Sequence, residues 1–135
     1  MERTYIMLKP DALQRGIAGE IIARIERKGY RITHMKTMQL DESILREHYA
    51  HIVDKPFFSP TVAYMTSGPV VAMVVEGENV IQGMRTLMGP TKNEDAMPGT
   101  IRGDFAVDVN SNIIHGSDGP DTAAIGIRRF FGEDA

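Results

Sequence analysis

The sequence has no cysteine among its 135 residues. It can therefore form neither a disulfide framework nor a thiolate metal site, and it suits a reducing cytosol. Aromatic residues are sparse at 7%. The longest apolar run, Val70 to Val75, is far too short to span a bilayer. The chain opens Met1-Glu2-Arg3-Thr4, without the basic start, long apolar stretch and small-residue cleavage site of a signal peptide. The expectation is a soluble, cytoplasmic protein. Charge of one sign is also lacking. A net charge of -3 and a pI near 5.8 exclude strong bulk attraction to nucleic-acid backbones or anionic membranes. A few local Lys and Arg residues still suffice for a small polyphosphate. Neither a G-x-x-x-x-G-K-[ST] loop nor a G-x-G-x-x-G fingerprint occurs, so a nucleotide would have to be held by side chains. Repeats, low-complexity segments and Pro/Gly/Ser-rich linkers are missing as well.

What is present is enough for one compact domain: 15.0 kDa with 42% hydrophobic residues. A domain of this size buries roughly two-thirds of the surface its unfolded chain exposes. Thr4 to Leu8 reads as a buried strand ending at Lys9, stopped by Pro10. Ile17, Ile21, Ile22 and Ile25 follow at helical spacing, closed by Lys28-Gly29. Tyr30 to Leu40 reads as a second strand. Asp41 is a candidate N-cap for a helix whose one face carries Leu45, His48, Tyr49 and Ile52. The Lys55–Pro60 segment breaks into a loop before a short helix through Met65, and Ser67-Gly68-Pro69 turns into the apolar strand Val70–Val75. Val80, Ile81, Met84, Leu87 and Met88 mark a third helix, followed by an irregular stretch from Gly89 to Gly103, long enough to suggest function. Asn112–His115 reads as a short strand, and Pro120 starts a final helix. The alternating order predicts an α+β sandwich with helices covering one sheet, and the ferredoxin-like split βαβ pattern is one solution. Periodicity alone leaves a parallel doubly wound sheet open.

His115 is the sharpest chemical feature. It lies at a strand end beside Gly116 and Ser117, whose small size leaves room for a ligand. An unperturbed imidazole titrates near pH 6.5, so a neutral nitrogen nucleophile is available at neutral pH. From position alone, a packed structural histidine is the commoner case. His34 sits in a strand, while His48 and His51 lie three apart on a helix with no third metal ligand in view. Lys9, Arg85 and Arg102 are candidate phosphate holders, although each alone reads as a surface charge. Phe57 and Phe58, between two prolines, offer either a stacking ring or a core plug, and Tyr49 either core or a site hydroxyl. Asp118 and Asp121 read as caps of the last helix.

Taken together, Glu2-Arg3-Thr4, Lys9-Pro10-Asp11, Glu47-His48-Tyr49, Lys55-Pro56-Phe57-Phe58, Ser67–Val74, Pro98–Phe105 and Asn112–Asp118 resemble the nucleoside diphosphate kinase family, in order along nearly the whole chain. The resemblance implies a single kinase domain over residues 1–135 and a ferredoxin-like, four-stranded antiparallel sheet covered by helices. It implies that the γ-phosphate of a nucleoside triphosphate, mainly ATP, passes to a nucleoside diphosphate by a ping-pong route through phosphohistidine on His115, balancing NTP and dNTP pools. Lys9 and Asn112 would hold sugar hydroxyls, with Lys9 also near the transferring phosphate. Arg85, Thr91 and Arg102 would hold phosphates, Tyr49 falls on a further nucleotide-site position, and Phe57 and Val109 would flank the base. Mg²⁺ would bridge phosphate oxygens, touching the protein through Asp118 by way of water. Self-assembly into a homotetramer or homohexamer is implied, with no membrane partner and no specific nucleic acid.

The sequence departs from the family's pattern in three places. A glutamate that accepts a hydrogen bond from the catalytic histidine is replaced by Gly126, which would leave Ser117 or water to orient the ring and slow phosphorylation without abolishing it. Asn93 stands where a proline is usual after the threonine. The chain ends four residues after Phe131, short of a longer tail. Two further readings compete: a ferredoxin-like module for single-stranded nucleic acid, disfavoured by few aromatics, and an impaired relative kept as a scaffold, kept in play by Gly126.

Overall fold

The computed structural model describes residues 1–109 and 111–135. Among them, four strands form one antiparallel sheet in the order β2-β3-β1-β4, where β1 is Glu2–Leu8, β2 Arg31–Met38, β3 Val70–Gly77 and β4 Ile114–Gly116. This is the expected ferredoxin-like sheet, and the parallel alternative is excluded.

Helices cover both faces of it. On one face Ile6, Leu8, Val71, Met73 and Val75 pack with Ile21 and Ile25 of α2 (Ala18–Lys28), and with Val80, Met84 and Met88 of α5 (Val80–Met88). On the other, Tyr5, Met7, Val70, Ala72 and Val74 meet Leu45 of α3 (Glu42–His48), Met65 of α4 (Phe58–Met65), and Ile127 and Phe130 of α7 (Pro120–Phe131). Side chains alternate across a strand, so burial on both sides accounts for an unbroken apolar run in β3.

Several local expectations hold. Asp41 accepts from the Ile44 N–H as the N-cap of α3, and Gly29 closes α2 at φ 105°, a left-handed conformation suited to glycine. Others shift. Pro10 does not merely stop β1; it occupies the first turn of a short helix, α1 (Pro10–Gln14), where its missing N–H is harmless. Helix α3 ends at His48, and a 3₁₀ turn over Ala50–Ile52 follows, so Tyr49 and Ile52 leave the helical face. The stretch after Gly89 contains a helix, α6 (Ile101–Phe105), capped by Thr100, whose Oγ1 accepts from the Gly103 N–H at 2.9 Å. Strand β4 begins at Ile114 rather than Asn112.

The reason for that last shift is a turn at Ile113. Its φ is 79°, and the Ile114 N–H reaches back to the Asn112 carbonyl at 2.8 Å, closing a γ-turn. A β-branched residue held there stores about 1–3 kcal/mol of strain. The Lys9 N–H, bonded to the Ile113 carbonyl at 2.7 Å, helps to hold it. Strand β4 thus enters the sheet directly at the residue before His115.

Candidate active site

His115 lies opposite Met7 in the β1–β4 ladder, and directly paired residues share a sheet face. Its ring therefore points to the α3/α7 side. There it meets His48 edge to face, with ring centroids 4.7 Å apart, and Tyr5 at 6.2 Å. Burial, followed by the charges of His48, Lys9, Arg102 and Arg85, holds the His115 imidazole well below its usual pKa. The ring is neutral at physiological pH, as a nitrogen nucleophile must be.

A cavity of about 580 Å³ opens over this ring. Of the residues named from the sequence, Lys9, Tyr49, Arg85, Thr91, Arg102, Asn112, His115, Ser117 and Asp118 line it. An adjoining cavity of about 390 Å³ shares Lys9 and Tyr49 and is lined further by Phe57 and Val109. Both of these apolar side chains are exposed, Phe57 at 52% and Val109 at 46%. The two cavities form a charged chamber joined at Lys9 and Tyr49 to an apolar slot.

The cations differ in how they are held. Lys9 Nζ donates to Asn112 Oδ1 at 2.5 Å, and burial, with Arg102 nearby, lowers its pKa to about 8. Arg102 is buried, not a surface charge. Its Nη1 donates to the Gly89 carbonyl at 2.9 Å, its Nη2 to the Ile114 carbonyl at 2.6 Å, and its Nε to the Asn112 carbonyl at 3.4 Å. Three of the five guanidinium N–H donors are thus committed to backbone. Burial and Arg85 lower its pKa to about 10. Arg85 and Thr91 stand exposed on the chamber wall. Burial raises the Tyr49 hydroxyl to about 12, so it stays protonated and able to donate.

Asp118 does not cap α7 through the backbone. Its Oδ1 accepts from Thr122 Oγ1, which itself takes the Gly119 N–H at 3.1 Å. Ser117 is buried, with its Oγ directed to the Tyr5 carbonyl at 3.4 Å rather than to the His115 ring. Gly126 is buried on the inner face of α7 and lies outside the chamber lining. A Cβ there would come within 3.1–3.2 Å of Tyr5 side-chain atoms, and the Tyr5 ring stacks on Phe130 at 4.6 Å. Tyrosine has filled the space beside the glycine.

Sequence reasoning weighed His48 only as a metal ligand and as part of a family motif, and it passed over Arg129. His48 looked like one more helix residue, yet the end of α3 brings its ring onto His115. Arg129 lines the chamber, and its Nη1 donates to His48 Nδ1 at 2.9 Å. The available signal was spacing, since Arg129 lies three residues past Gly126 on one helical face.

Among the described residues no group of three or more His, Asp or Glu side chains is placed to hold a metal ion. A neutral histidine beneath Lys9, Arg85 and Arg102, open to a chamber that continues into an apolar slot with an aromatic wall, defines a nucleotide-dependent phosphotransferase of ferredoxin-like fold.

Comparison with known proteins narrows that class. The family model described as nucleoside diphosphate kinase matches residues 2–135. A nucleoside diphosphate kinase of Archaeoglobus fulgidus is 54% identical over 134 residues, covering 99% of this chain and 89% of that relative. One of Thermus thermophilus is 52% identical, covering 97% of this chain and 96% of the relative. Among solved structures, a nucleoside diphosphate kinase of Halobacterium salinarum in complex with CDP superposes with a TM-score of 0.94 at 49% identity, covering 98% of this chain and 89% of that one. That of Encephalitozoon cuniculi gives a TM-score of 0.96 at 43% identity, covering 99% and 91%. The chain belongs to the nucleoside diphosphate kinase family.

Proposed function

We propose that this protein, over residues 1–135, transfers the γ-phosphate of a nucleoside triphosphate to a nucleoside diphosphate in two half-reactions, with His115 as the carrier. The observation that carries this reading is the neutral, cation-surrounded ring of His115 at the floor of the chamber. In the first half-reaction a ring nitrogen lone pair forms the N–P bond. The bond from phosphorus to the β–γ bridging oxygen breaks, and the diphosphate leaves with the electron pair. In the second, a terminal oxygen of the acceptor diphosphate takes the phosphoryl group and the nitrogen recovers its lone pair.

Arg85, Thr91 and the uncommitted donors of Arg102 suit the phosphate oxygens, whose charge spreads over equatorial positions as the transfer proceeds. Lys9 and Asn112 suit the sugar hydroxyls, with Lys9 also close to the transferring group. Phe57 and Val109 suit the two faces of a base, and stacking reads a ring face rather than its hydrogen-bonding edge, so base tolerance follows. The Halobacterium salinarum relative bound to CDP is consistent with such a slot. The donor set, one carboxylate among several cations, fits Mg²⁺ carried in on the nucleotide and met by Asp118 through water. There it would offset charge on the phosphate oxygens. Among the described residues no helix is long and apolar enough to cross a membrane. We place the protein in the cytoplasm as a homotetramer or homohexamer.

The test is incubation with ATP and Mg²⁺ followed by intact-mass spectrometry. One acid-labile phosphate is expected, discharged by GDP and missing in His115→Ala. Nucleotide binding without any phosphoenzyme in the wild-type protein would mark a disabled pocket and favour the scaffold reading.

A further inference from the structure

Gly126 offers no side chain on the inner face of α7, where the family resemblance implies a carboxylate, and Arg129 places a cation on the same face. Among the described residues, no carboxylate lies within ion-pair distance of Arg129. Its partner is instead His48 Nδ1, at 2.9 Å. A guanidinium only donates, so Nδ1 must present its lone pair and the ring proton must sit on Nε2. Burial, then Arg129, Lys9 and His51, push the His48 pKa down to about 4, in keeping with a neutral ring that accepts this bond.

The His48 ring so fixed is a hub. It meets His115 at 4.7 Å, Tyr49 at 4.8 Å and Phe130 at 5.3 Å, each edge to face. Its Nε2 is buried without a hydrogen-bond partner among the described residues. A ring whose second nitrogen is unpartnered is anchored only by packing and by Nδ1. Removing the Nδ1 bond leaves both tautomers and both ring flips open, and His115 then packs against a mobile wall.

We propose that Arg129 is a positioning residue for phosphotransfer: by locking the tautomer and orientation of His48, it holds the His115 ring in its reactive attitude, in place of the carboxylate that Gly126 lacks. This rests on the reading of His115 as the phosphoryl carrier. The replacement is one of orientation only. Arg129 cannot accept a proton from the His115 ring as a carboxylate would, and its positive charge favours the incoming phosphoryl group rather than an imidazolium.

The experiment compares Arg129→Met and Arg129→Lys with the wild-type protein. It measures single-turnover phosphoenzyme formation from ATP and Mg²⁺, ADP affinity by calorimetry, and histidine ring tautomers by ¹⁵N NMR. Arg129→Met is expected to slow phosphorylation about ten-fold, the lower end of the losses seen when the orienting partner of a metal-bound histidine is removed. ADP affinity should hold within about two-fold, and His48 should become a mixture of tautomers. Arg129→Lys, keeping a donor, should recover part of the rate. Arg129→Met should add nothing further in a His48→Phe background. Wild-type phosphorylation in Arg129→Met with His48 still an Nε2–H tautomer overturns the inference, as does a loss of ADP affinity matching the loss of rate. A phosphoenzyme that persists in His115→Ala overturns the carrier reading and this inference with it. One that depends on His115 yet forms at wild-type rate in Arg129→Met overturns this inference alone.

Discussion

At the scale of single residues, the site is governed by what each neighbour leaves free. Gly126 is the clearest case. Glycine in a helix interior costs about 1 kcal/mol against alanine, so a side chain there would ordinarily be an improvement. Here Tyr5 stands in the way, for a Cβ at this position would lie only 3.1–3.2 Å from its side-chain atoms, and Phe130 stacked behind limits its retreat. Gly126→Glu should therefore destabilise the protein by about 1–3 kcal/mol, the usual range for overpacking. Tyr5→Leu should relieve much of that loss. The double variant should be more stable than the two single effects sum to, and a urea-denaturation cycle measures the coupling.

At the scale of elements, the last segments before β4 combine a few polar contacts with the burial of Ile101 and Ile113 in the core. Helix α6 has five residues and depends on its cap. Thr100 Oγ1 accepts from Gly103 N–H and donates to the Met97 carbonyl at 2.7 Å. Thr100→Ala should cost about 1 kcal/mol, read as a shift in denaturation midpoint. Helix α6 carries Arg102, which joins three segments through the carbonyls of Gly89, Asn112 and Ile114. Arg102→Leu strands those acceptors and should cost about 2–4 kcal/mol by the same measurement. Arg102→Lys should not restore it, since one ammonium cannot span the fork of contacts that a guanidinium makes.

The whole molecule responds to acid through buried histidines. His48 titrates at about 4 in the folded state, against about 6.5 in an unfolded chain. His115 is lowered as well. Between these values the unfolded chain binds more protons than the folded one, so stability rises with pH across that window. The contribution is complete above about pH 6.5 and is lost as pH falls toward 4. Thermal midpoints at pH 7.5 and pH 5 should differ accordingly, and His48→Phe should reduce the difference.

Much of this was legible along the chain. Short apolar runs located β1 and β3, helical spacing located α2, α3 and α5, and Pro120 located the start of α7. Asp41, Gly29 and Pro120 marked their boundaries, because capping is a local event that neighbours in sequence decide. The motifs around His115, Lys9, Arg102 and Asn112 named the family, and the structure gathers those residues around one chamber. What the sequence could not determine depended on contacts distant in the chain. That Arg102 is buried on three carbonyls, that Ile113 turns with a positive φ, and that Tyr5 fills the space beside Gly126 all follow from segments up to 121 positions apart meeting across the sheet. The pairing of Arg129 with His48 has the same origin, for their separation is 81 residues and only the approach of α3 to α7 joins them. Periodicity and caps report on the local backbone, whereas burial, tautomer and partner are properties of the packed core, and there the tertiary structure decided.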